Sequence, residues 1–349
     1  MASSSPTAAE ASVPATQSLP KVSVIVPIYN GAADIPDLAA CLLAQTFPPD
    51  QVEYLLVDNN SRDRTSSLLK DWVKTASNQG LTWQYLSEAD IQSSYAARNR
   101  GIRAARGELL AFTDADCRPN HDWLEKLIAP FDDPAVGLVV GEIAALPGDS
   151  WLEHYANQRN MMTQRFTMAH EFYPYGQTAN LAVRRQALAG VGLFRPYLTT
   201  GGDADLCWRI QQQHPWQVIF AEDAIIQHRH RSTLKELASQ WRRYGRSNNY
   251  LHELHGVRLR RNLNRKDTAH RIGRWALKEF PKAGFRLIQG KAAPVELVAP
   301  LLDLYCAKAR ETGQRQAQMP KEAREIEPFR VGEKGEERGQ ASENVRGSG

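Results

Sequence analysis

The sequence predicts an α/β fold with a mostly parallel β-sheet that carries helices on both faces. Two observations support this prediction. Short apolar runs recur along the chain and are ended by proline or polar residues, which is typical of buried strands. Between them lie longer stretches whose apolar residues repeat at helical spacing. Strands that alternate with helices in this way form a parallel sheet with helices packed against it.

Six apolar runs are interpreted as strands. The first is stopped by Pro27, the second is followed by Asp58, and the last ends in His228. The six runs are residues 22–26, 52–57, 81–86, 109–113, 136–143 and 220–228.

Three stretches between these runs are interpreted as helices. Residues 34–45 place three leucines on one face, and a second stretch runs through residues 68–72. Residues 95–105 are rich in Ala and Arg and are followed by Gly107, a candidate C-cap. Because ligands of parallel sheets bind at the carboxyl ends of the strands, functional residues are expected there.

Length and composition limit the class of protein. The 349 residues suit one large α/β domain with additions, or two ordinary domains, and the net charge of +4 excludes a nucleic-acid polycation. The four cysteines show no metal-ligand or disulfide-scaffold spacing, which fits a reducing compartment. No run approaches the roughly 18 apolar residues of a spanning helix. A cytoplasmic protein, soluble or peripheral at the membrane, is expected.

Composition also predicts the domain boundaries. Residues 1–20 are rich in Ala, Ser, Pro and Thr and predict a disordered leader rather than a signal peptide. The α/β domain is expected at 21–230 and a basic, amphipathic helical extension at 231–310. Residues 311–349 are charged and rich in Gly, Gln and Glu, which predicts a disordered tail.

Polar clusters follow three of the predicted strands, at residues 27–30, 58–61 and 113–116. The last holds Asp114 and Asp116, whose carboxylates would project toward one point and favour a bound cation. Hard oxygen ligands suit Mg²⁺ or Mn²⁺, which commonly bind substrate phosphates as well. In isolation, the same pair could simply cap a helix or turn.

Five sequence blocks within residues 21–250 resemble family 2 glycosyltransferases, which have the GT-A fold and use nucleotide-sugar donors. Each block alone has modest specificity, but the five occur in the family's order. They are VSVIVPIYNG at 22–31, LLVDNNSRDRT at 55–65, AARNRGIRAARGELLAFTDADC at 96–117, GQTANLAVRR at 176–185 and GGDADLCWRI at 201–210.

The resemblance implies a donor site. Its nucleobase pocket would be lined by one loop, and a carboxylate would bind the base, most often uracil. Two further polar residues would lie near the base and diphosphate, and an asparagine would position diphosphate or sugar hydroxyls. In that order, the matching residues are Pro27, Tyr29 and Asn30, then Asp58, then Arg98 and Asn99, and finally Asn180.

The resemblance also implies a metal ion and a catalytic base. Asp116 would hold Mn²⁺ or Mg²⁺ with Asp114 nearby, and His228 would complete the metal shell, with His230 as the alternative ligand. Asp203 would be the base of an inverting displacement on a glycan or lipid-linked acceptor. The family often carries Glu-Asp here, whereas this chain has Gly at 202, so Asp205 remains the alternative base.

The C-terminal third is strongly basic. Residues 229–291 hold 17 Lys and Arg against 4 acids, with apolar and aromatic residues interleaved, which favours an anionic membrane surface as the partner of 231–305. A solvated face is the alternative, and nucleic acid is not expected because no RNA-binding motif is present. Residues 240–244, QWRRY, resemble a Gln-x-x-Arg-Trp motif of processive polysaccharide synthases.

Two other functions are compatible with the sequence. A nucleotidyltransferase would share the sheet, but the loop after the first strand lacks a Gly-rich phosphate-binding sequence. A non-catalytic nucleotide-sugar-binding protein is favoured only by the missing Glu at 202.

Overall fold

The computed structural model describes residues 20–330. Within that range, eight strands form one sheet in the order β3-β2-β1-β4-β7-β6-β8-β5. The strands are β1 Val22–Ile28, β2 Val52–Asp58, β3 Thr82–Ser87, β4 Leu109–Phe112, β5 Cys117–Pro119, β6 Val136–Ala145, β7 Leu181–Arg184 and β8 Gln217–His228.

Eleven α-helices accompany the sheet within the same described range. They are α1 Ile35–Leu43, α2 Thr65–Asn78, α3 Ser94–Ala104, α4 Trp123–Ile128, α5 Trp151–Gln158, α6 Arg165–Met168, α7 Gly202–Gln213, α8 Leu234–His255, α9 Arg265–Arg274, α10 Phe280–Ile288 and α11 Ala299–Arg315.

The sheet confirms the predicted α/β class. Strand β1 pairs in parallel with β2 and β4, and β2 pairs in parallel with β3. Strand β7 is antiparallel to both β4 and β6, β6 is parallel to β8, and β5 closes the edge antiparallel to β8. Strands β5 and β7 were not predicted, because they are only 3 and 4 residues long.

The uninterrupted apolar runs reflect burial on both faces of the sheet. Val24 of β1 belongs to a core cluster that includes Ile35 of α1 and Leu69 of α2. Ile25, the next residue of β1, belongs to a second cluster that includes Ile102 of α3. Side chains alternate across a strand, so two buried faces require apolar residues at nearly every position.

The fold continues further along the chain than predicted. A disordered tail was expected at 311–349, but α11 extends to Arg315 and residues 316–330 pack against the α/β domain. Ala323, within this segment, is fully buried. The predicted boundary is therefore wrong, and the rest of the predicted tail lies beyond the described residues, as does the predicted leader apart from Pro20.

Backbone contacts and a few apolar side chains hold this segment. The Arg195 guanidinium donates to the carbonyl oxygens of Ala323 and Arg324, and the Leu193 N–H donates to the carbonyl of Glu327 at 2.9 Å. Segment 316–330 is mostly polar, and this composition led to the prediction of a disordered tail. Four apolar residues of the segment nevertheless reach the core cluster, namely Ala317, Met319, Ala323 and Phe329.

Helices α8 and α11 cross at two glycines. A Cβ added to Gly245 would lie 2.0 Å from the carbonyl oxygen of Arg310. A Cβ added to Gly313 would lie 2.0 Å from the carbonyl oxygen of Arg242. Both positions therefore require glycine for the two backbones to approach this closely. The crossing fixes α8 against α11.

Within the part of the chain that the structure describes, no helix is long and apolar enough to cross a membrane.

We expect Gly245→Ala and Gly313→Ala each to lower the free energy of unfolding by about 1–3 kcal/mol, because the added methyl forces the helices apart. Thermal and denaturant unfolding would measure this loss. Gly284→Ala is the matched control: it also lies in a helix, but nothing lies within 4 Å of its added Cβ. Alanine there should leave the stability unchanged or raise it. Equal stabilities for all three variants would contradict the described crossing.

Candidate active site

A cavity of about 480 Å³ opens at the carboxyl ends of β1 and β4. Its walls come from the loops after these strands, from α3, from the start of α7, from the end of β8 and from α8. Eight of the residues proposed from the sequence line it: Pro27, Tyr29, Asn30, Arg98, Asp114, Asp116, Asp203 and His228.

Asp116 and His228 face each other in this cavity. The carboxylate Oδ2 lies 3.2 Å from the imidazole Nε2, because β5 pairs with β8 in a register that aligns Cys117 with His228. The other ring nitrogen, Nδ1, lies 2.8 Å from the carbonyl oxygen of Arg229, which fixes the ring orientation. A carboxylate and an imidazole directed at one point can hold a divalent ion.

Ionisation of these two groups is coupled. Burial opposes the charge on His228, but the hydrogen bond and the charge of Asp116 outweigh it and raise the histidine pKa. Burial likewise opposes the charge on Asp116, but the hydrogen bond from His228 and the positive charges of His228 and Arg231 lower its pKa to about 2. Each group therefore stabilises the charged form of the other, and a divalent ion would take the place of the proton on His228.

Cys117 lies next to this pair, since its Sγ and the ligand atoms of Asp116 and His228 are all within 4.8 Å of one another. Burial, together with the charges of Asp114 and Asp116, holds the pKa of this thiol well above its ordinary value. Beside this thiol, the site offers a carboxylate oxygen and an imidazole nitrogen as donors. That set fits Mn²⁺ or Mg²⁺. The alternative ligand, His230, lines a different cavity with Glu142.

Asp114 has a different partner from Asp116. One of its oxygens lies 2.5 Å from Nη2 of Arg98, which is almost fully buried. The Arg98 guanidinium also lies over the ring of Tyr95, 5.6 Å from its centroid. Within residues 20–330 the Nε of Arg98 has no hydrogen-bond partner. This arginine can therefore offer a donor to a bound phosphate.

Asp203 lies in the first turn of α7 and faces the cavity. Its carboxylate accepts a hydrogen bond of 3.0 Å from the hydroxyl of Thr178. Burial raises the pKa of Asp203; Arg98 opposes this shift and the charge of Asp114 adds to it. A carboxylate with a raised pKa is a better proton acceptor at neutral pH than an ordinary aspartate.

Asp205 is fully buried and belongs to an ion cluster. Its oxygens lie 3.1 Å from Arg195, 3.0 Å from Arg209 and 2.9 Å from His255. Burial would raise its pKa, but His255 and the two arginines outweigh burial and lower it. The cluster ties α7 to α8, and through Arg195 to residues 323–324. Asp205 therefore stabilises the fold, and of the two aspartates only Asp203 lines the cavity.

The glycine before Asp203 leaves room for an aromatic ring. A Cβ added to Gly202 would lie 2.7 Å from Cζ of Tyr95. The Gly202 N–H donates to the Tyr95 hydroxyl at 3.0 Å, and the ring stacks on Phe194 with centroids 5.6 Å apart. Tyr95 thus occupies the space that a larger residue at 202 would need, and it supports the backbone beside Asp203.

Three sequence-proposed residues do not line the cavity. Asn180 is fully buried; its amide donates to the carbonyls of Glu142 and Ala224 and its oxygen accepts from Trp123. The Asn99 side chain donates to and accepts from the backbone of one residue, Phe194. Both asparagines therefore connect parts of the fold, and neither Asn99 nor Asn180 lines the cavity.

Asp58 is the third of these residues. It is buried beside Ile28 in the sheet, and its carboxylate accepts hydrogen bonds from the Ser61 N–H at 3.1 Å and the Tyr85 hydroxyl at 3.3 Å. In this structure it holds the loop after β2. That loop in turn contacts the cavity-lining loop after β1, because the Ser61 hydroxyl accepts from the Asn30 N–H at 2.9 Å.

Helix α8 adds residues that the site predictions did not include. Gln240, Arg243 and Tyr244 line the cavity, as does Arg231 just before the helix. The amide of Gln240 lies 3.1 Å from the Tyr244 hydroxyl. The QWRRY motif at 240–244 could have indicated these residues. Gln240, Arg243 and Tyr244 of the motif line the cavity.

Comparisons with known proteins identify the family. A model described as Glycosyl transferase family 2 matches residues 23–192, and one described as Glycosyl transferase family group 2 matches residues 109–298, more than half of the chain. Glycosyltransferase AglE of Haloferax volcanii is 34% identical over 229 residues, which cover 65% of this chain and 73% of AglE. This chain belongs to glycosyl transferase family 2. It is therefore a glycosyltransferase, as its sequence blocks predicted.

Other matches agree with this assignment. A pre-mycofactocin glycosyltransferase of Mycobacterium tuberculosis is 27% identical over 65% of this chain, and the match spans less than half of that relative, 46% of its length. Among solved structures, the mannosyltransferase PcManGT of Pyrobaculum calidifontis, in complex with GDP-Man and Mn²⁺, superposes with a TM-score of 0.59 at 19% identity. That match covers 86% of this chain and 88% of the other, and it confirms the GT-A fold.

Substitution of the two aspartates of α7 should separate catalysis from stability. Asp203→Asn should lower turnover by about 10²–10⁴-fold with little change in stability, because the residue that would accept the proton is lost. Asp205→Asn should lower the free energy of unfolding by about 3 kcal/mol or more, because it leaves buried cations unpaired. Steady-state kinetics and denaturant unfolding on both variants would check this. Near-normal turnover of Asp203→Asn would rule out the assigned base.

Proposed function

We propose that this glycosyltransferase moves a sugar from a nucleotide-sugar donor, with UDP-sugars as the first candidates, to a hydroxyl of a glycan or lipid-linked saccharide. The observation that supports the proposal is the convergence in one cavity of a metal-ligand pair, three arginines and a half-buried carboxylate. The three arginines are Arg98, Arg231 and Arg243. We place the reaction in the cytoplasm.

The loop after β1 is proposed to hold the nucleoside. Tyr29 is 49% exposed there and offers a ring face to a base. Asn30 adopts a left-handed backbone conformation, with φ of 48°, and its side-chain oxygen accepts from the Arg62 N–H at 2.8 Å. The loop is therefore fixed in shape before a ligand arrives. Asp58 holds the neighbouring loop after β2 and would contribute to nucleobase binding indirectly, through that loop.

The diphosphate is proposed to lie between the metal ligands and the arginines. Asp116 and His228 would hold the ion, with Asp114 beside them, and a bound divalent ion would neutralise charge on the leaving diphosphate. Arg98, oriented by Asp114, presents its guanidinium to the same region, and Arg231 and Arg243 add positive charge. Arginine is well suited here because it donates two parallel hydrogen bonds to phosphate oxygens.

Asp203 is proposed as the general base. It would accept the proton of the acceptor hydroxyl while that oxygen attacks the anomeric carbon from the face opposite the diphosphate, which inverts the configuration. The Thr178 hydroxyl orients its carboxylate, and the Tyr95 ring holds the backbone at Gly202. The space filled by Tyr95 also removes the one argument for a non-catalytic binding protein. Membership of a glycosyltransferase family excludes the nucleotidyltransferase alternative.

Donor turnover is the direct test. Nucleotide release would be measured from UDP-, GDP- and dTDP-sugars with Mn²⁺, with Mg²⁺ and with chelator, without added acceptor. We expect metal-dependent release from one donor class, reduced at least tenfold in Asp116→Ala and in His228→Ala because the ion loses a ligand. Asp71→Ala, an exposed aspartate of α2, is the matched control and should release nucleotide at the wild-type rate. Full activity of Asp116→Ala would contradict the assigned metal site.

We also propose that residues 231–305, within the basic extension predicted at 231–310, contact an anionic membrane surface. The region from α9 to α10 supports this proposal, because its exposed face combines large apolar side chains with cations. Leu277 is 85% exposed and Ile288 is 87% exposed, and Phe285 is exposed beside them. Helices α9 and α10 also carry the cations Arg271, Lys282 and Arg286.

Vesicle flotation would test the membrane proposal. At physiological salt the chain should float with vesicles that contain phosphatidylglycerol and should remain behind with pure phosphatidylcholine vesicles. The triple substitution of Leu277, Phe285 and Ile288 by Ser should reduce flotation several-fold, since the inserting side chains are lost. Substitution of Trp151, exposed on α5, by Ser is the control and should not. Equal flotation of the wild type with both vesicle types would rule out an electrostatic contribution.

A further inference from the structure

A second cavity, of about 270 Å³, adjoins the first. The two share the residues around the proposed base, namely Tyr95, Gln177, Thr200, Asp203 and Tyr244. A molecule in the second cavity could therefore bring a hydroxyl to Asp203 while the first cavity holds a donor. This position is the one that an acceptor must occupy in a direct displacement.

The lining of the second cavity is aromatic on one part and cationic on another. Phe166, Tyr175, Trp241 and Tyr244 supply the aromatic part. Phe166 is 66% exposed, although most large apolar side chains of the fold are buried. Aromatic surfaces of this kind pack on sugar rings and on hydrocarbon chains.

Arg260 and Arg310 supply the cationic part. Across residues 20–330, no carboxylate lies within ion-pair distance of either guanidinium. Burial and then the charge of Arg260 lower the pKa of Arg310, which places the two cations near each other. Glu311 opposes that shift, but its own carboxylate pairs with Lys308 and Arg315.

The Arg310 guanidinium is held in place by protein groups but not neutralised. It donates to the carbonyl of Arg261 at 3.2 Å and to the side-chain oxygen of Gln314 at 3.4 Å. Its backbone is fixed by the crossing of α11 with Gly245. Across the described residues neither guanidinium is ion-paired with a carboxylate, so a bound anion would be stabilised there.

Unpaired polar atoms supply independent support. The indole N–H of Trp241 and the side-chain oxygen of Asn248 are both buried and, in the described part of the chain, have no hydrogen-bond partner. Both residues line the second cavity. Buried polar atoms are almost always satisfied, so an unpaired donor and acceptor at a cavity wall indicate a polar ligand.

We propose that the second cavity is the acceptor site and that it binds a phosphorylated acceptor, with Arg260 and Arg310 holding the phosphate. The sugar of this acceptor carries the hydroxyl that reaches Asp203, and the aromatic wall covers that sugar and any hydrocarbon attached through the phosphate. Trp241 and Asn248 bond its polar groups. The assignment as an acceptor site rests on the proposed transfer at Asp203. The anion site itself rests only on the two arginines and the cavity.

Direct binding tests the anion site without any donor. Isothermal titration calorimetry would compare decyl phosphate, below its micelle concentration, with decyl maltoside, which has a similar chain and no charge. We expect decyl phosphate to bind at least tenfold more tightly. Arg260→Gln should weaken decyl phosphate binding at least tenfold and leave decyl maltoside binding unchanged. Arg258→Gln is the matched control, since Arg258 is exposed nearby but does not line the cavity.

A second variant and a second ligand make the test more specific. Arg310→Gln should also weaken decyl phosphate binding, and a thermal melt establishes whether this variant remains folded. If it does not, the test relies on Arg260→Gln, since Arg260 is exposed. Glucose 1-phosphate distinguishes two sources of the anion: binding as tight as that of decyl phosphate indicates a soluble phosphorylated sugar, and weaker binding indicates a lipid phosphate. Equal binding of decyl phosphate to wild type and Arg260→Gln would overturn the inference.

The outcomes also separate this inference from the proposed function. A wild type that releases nucleotide from a donor but shows no preference for decyl phosphate retains the proposed function and loses the phosphate site. A wild type that prefers decyl phosphate but releases no nucleotide retains the anion site and loses the proposed function.

Discussion

Three of the four carboxylates that line one partly buried cavity are those of Asp114, Asp116 and Asp203, and their mutual repulsion is the constraint on which the surrounding structure depends. Like charges in a poorly hydrated site must be compensated or protonated. The negative charge of each of these three carboxylates is compensated in a different way. Arg98 pairs with Asp114, His228 pairs with Asp116, and Asp203 has a raised pKa and a hydroxyl donor. The three carboxylates at this sheet edge are therefore suited to three different roles: orienting Arg98, holding a metal ion and accepting a proton.

The same constraint explains why the α/β domain and the basic extension form one working unit. Helix α8 begins after the end of the predicted domain, yet it supplies Gln240, Arg243 and Tyr244 to the cavity. Its position depends on the glycine crossing with α11 and on the ion cluster between Asp205 and His255. A boundary at residue 230, drawn from composition, therefore passes through the site. Charge compensation across that boundary couples the extension to the proposed chemistry.

Much of the fold and part of the site could be predicted from the sequence. Buried parallel strands leave a strong apolar signal, and the polar residues that follow them meet at one edge of the sheet, where Asp114 and Asp116 line the cavity. Asp203 lies in α7, and only the resemblance to the family pointed to it. The hydrogen bonds of Asn99 and Asn180 within the fold could not be predicted, because nothing local distinguishes an amide that faces a ligand from one that bonds the fold. The partners of Asn180, including Trp123 and Ala224, are distant in sequence. The folded segment 316–330 was missed for a similar reason, since its few apolar residues are visible only against the core that receives them.

The two cavities meet at Asp203, and that geometry bears on the mechanism. A direct displacement needs the donor and the acceptor on different sides of the reacting carbon, with the base on the acceptor side. A carboxylate shared by two adjoining cavities meets this need, whereas a base at the bottom of a single cavity would have to admit both molecules through one opening. The Tyr95 ring, which lines both cavities and bonds the backbone at Gly202, is then part of the wall that keeps them distinct. A glutamate at 202 would need the space that Tyr95 occupies. In the proposed mechanism, Tyr95 uses that space to hold Asp203 between the donor and the acceptor.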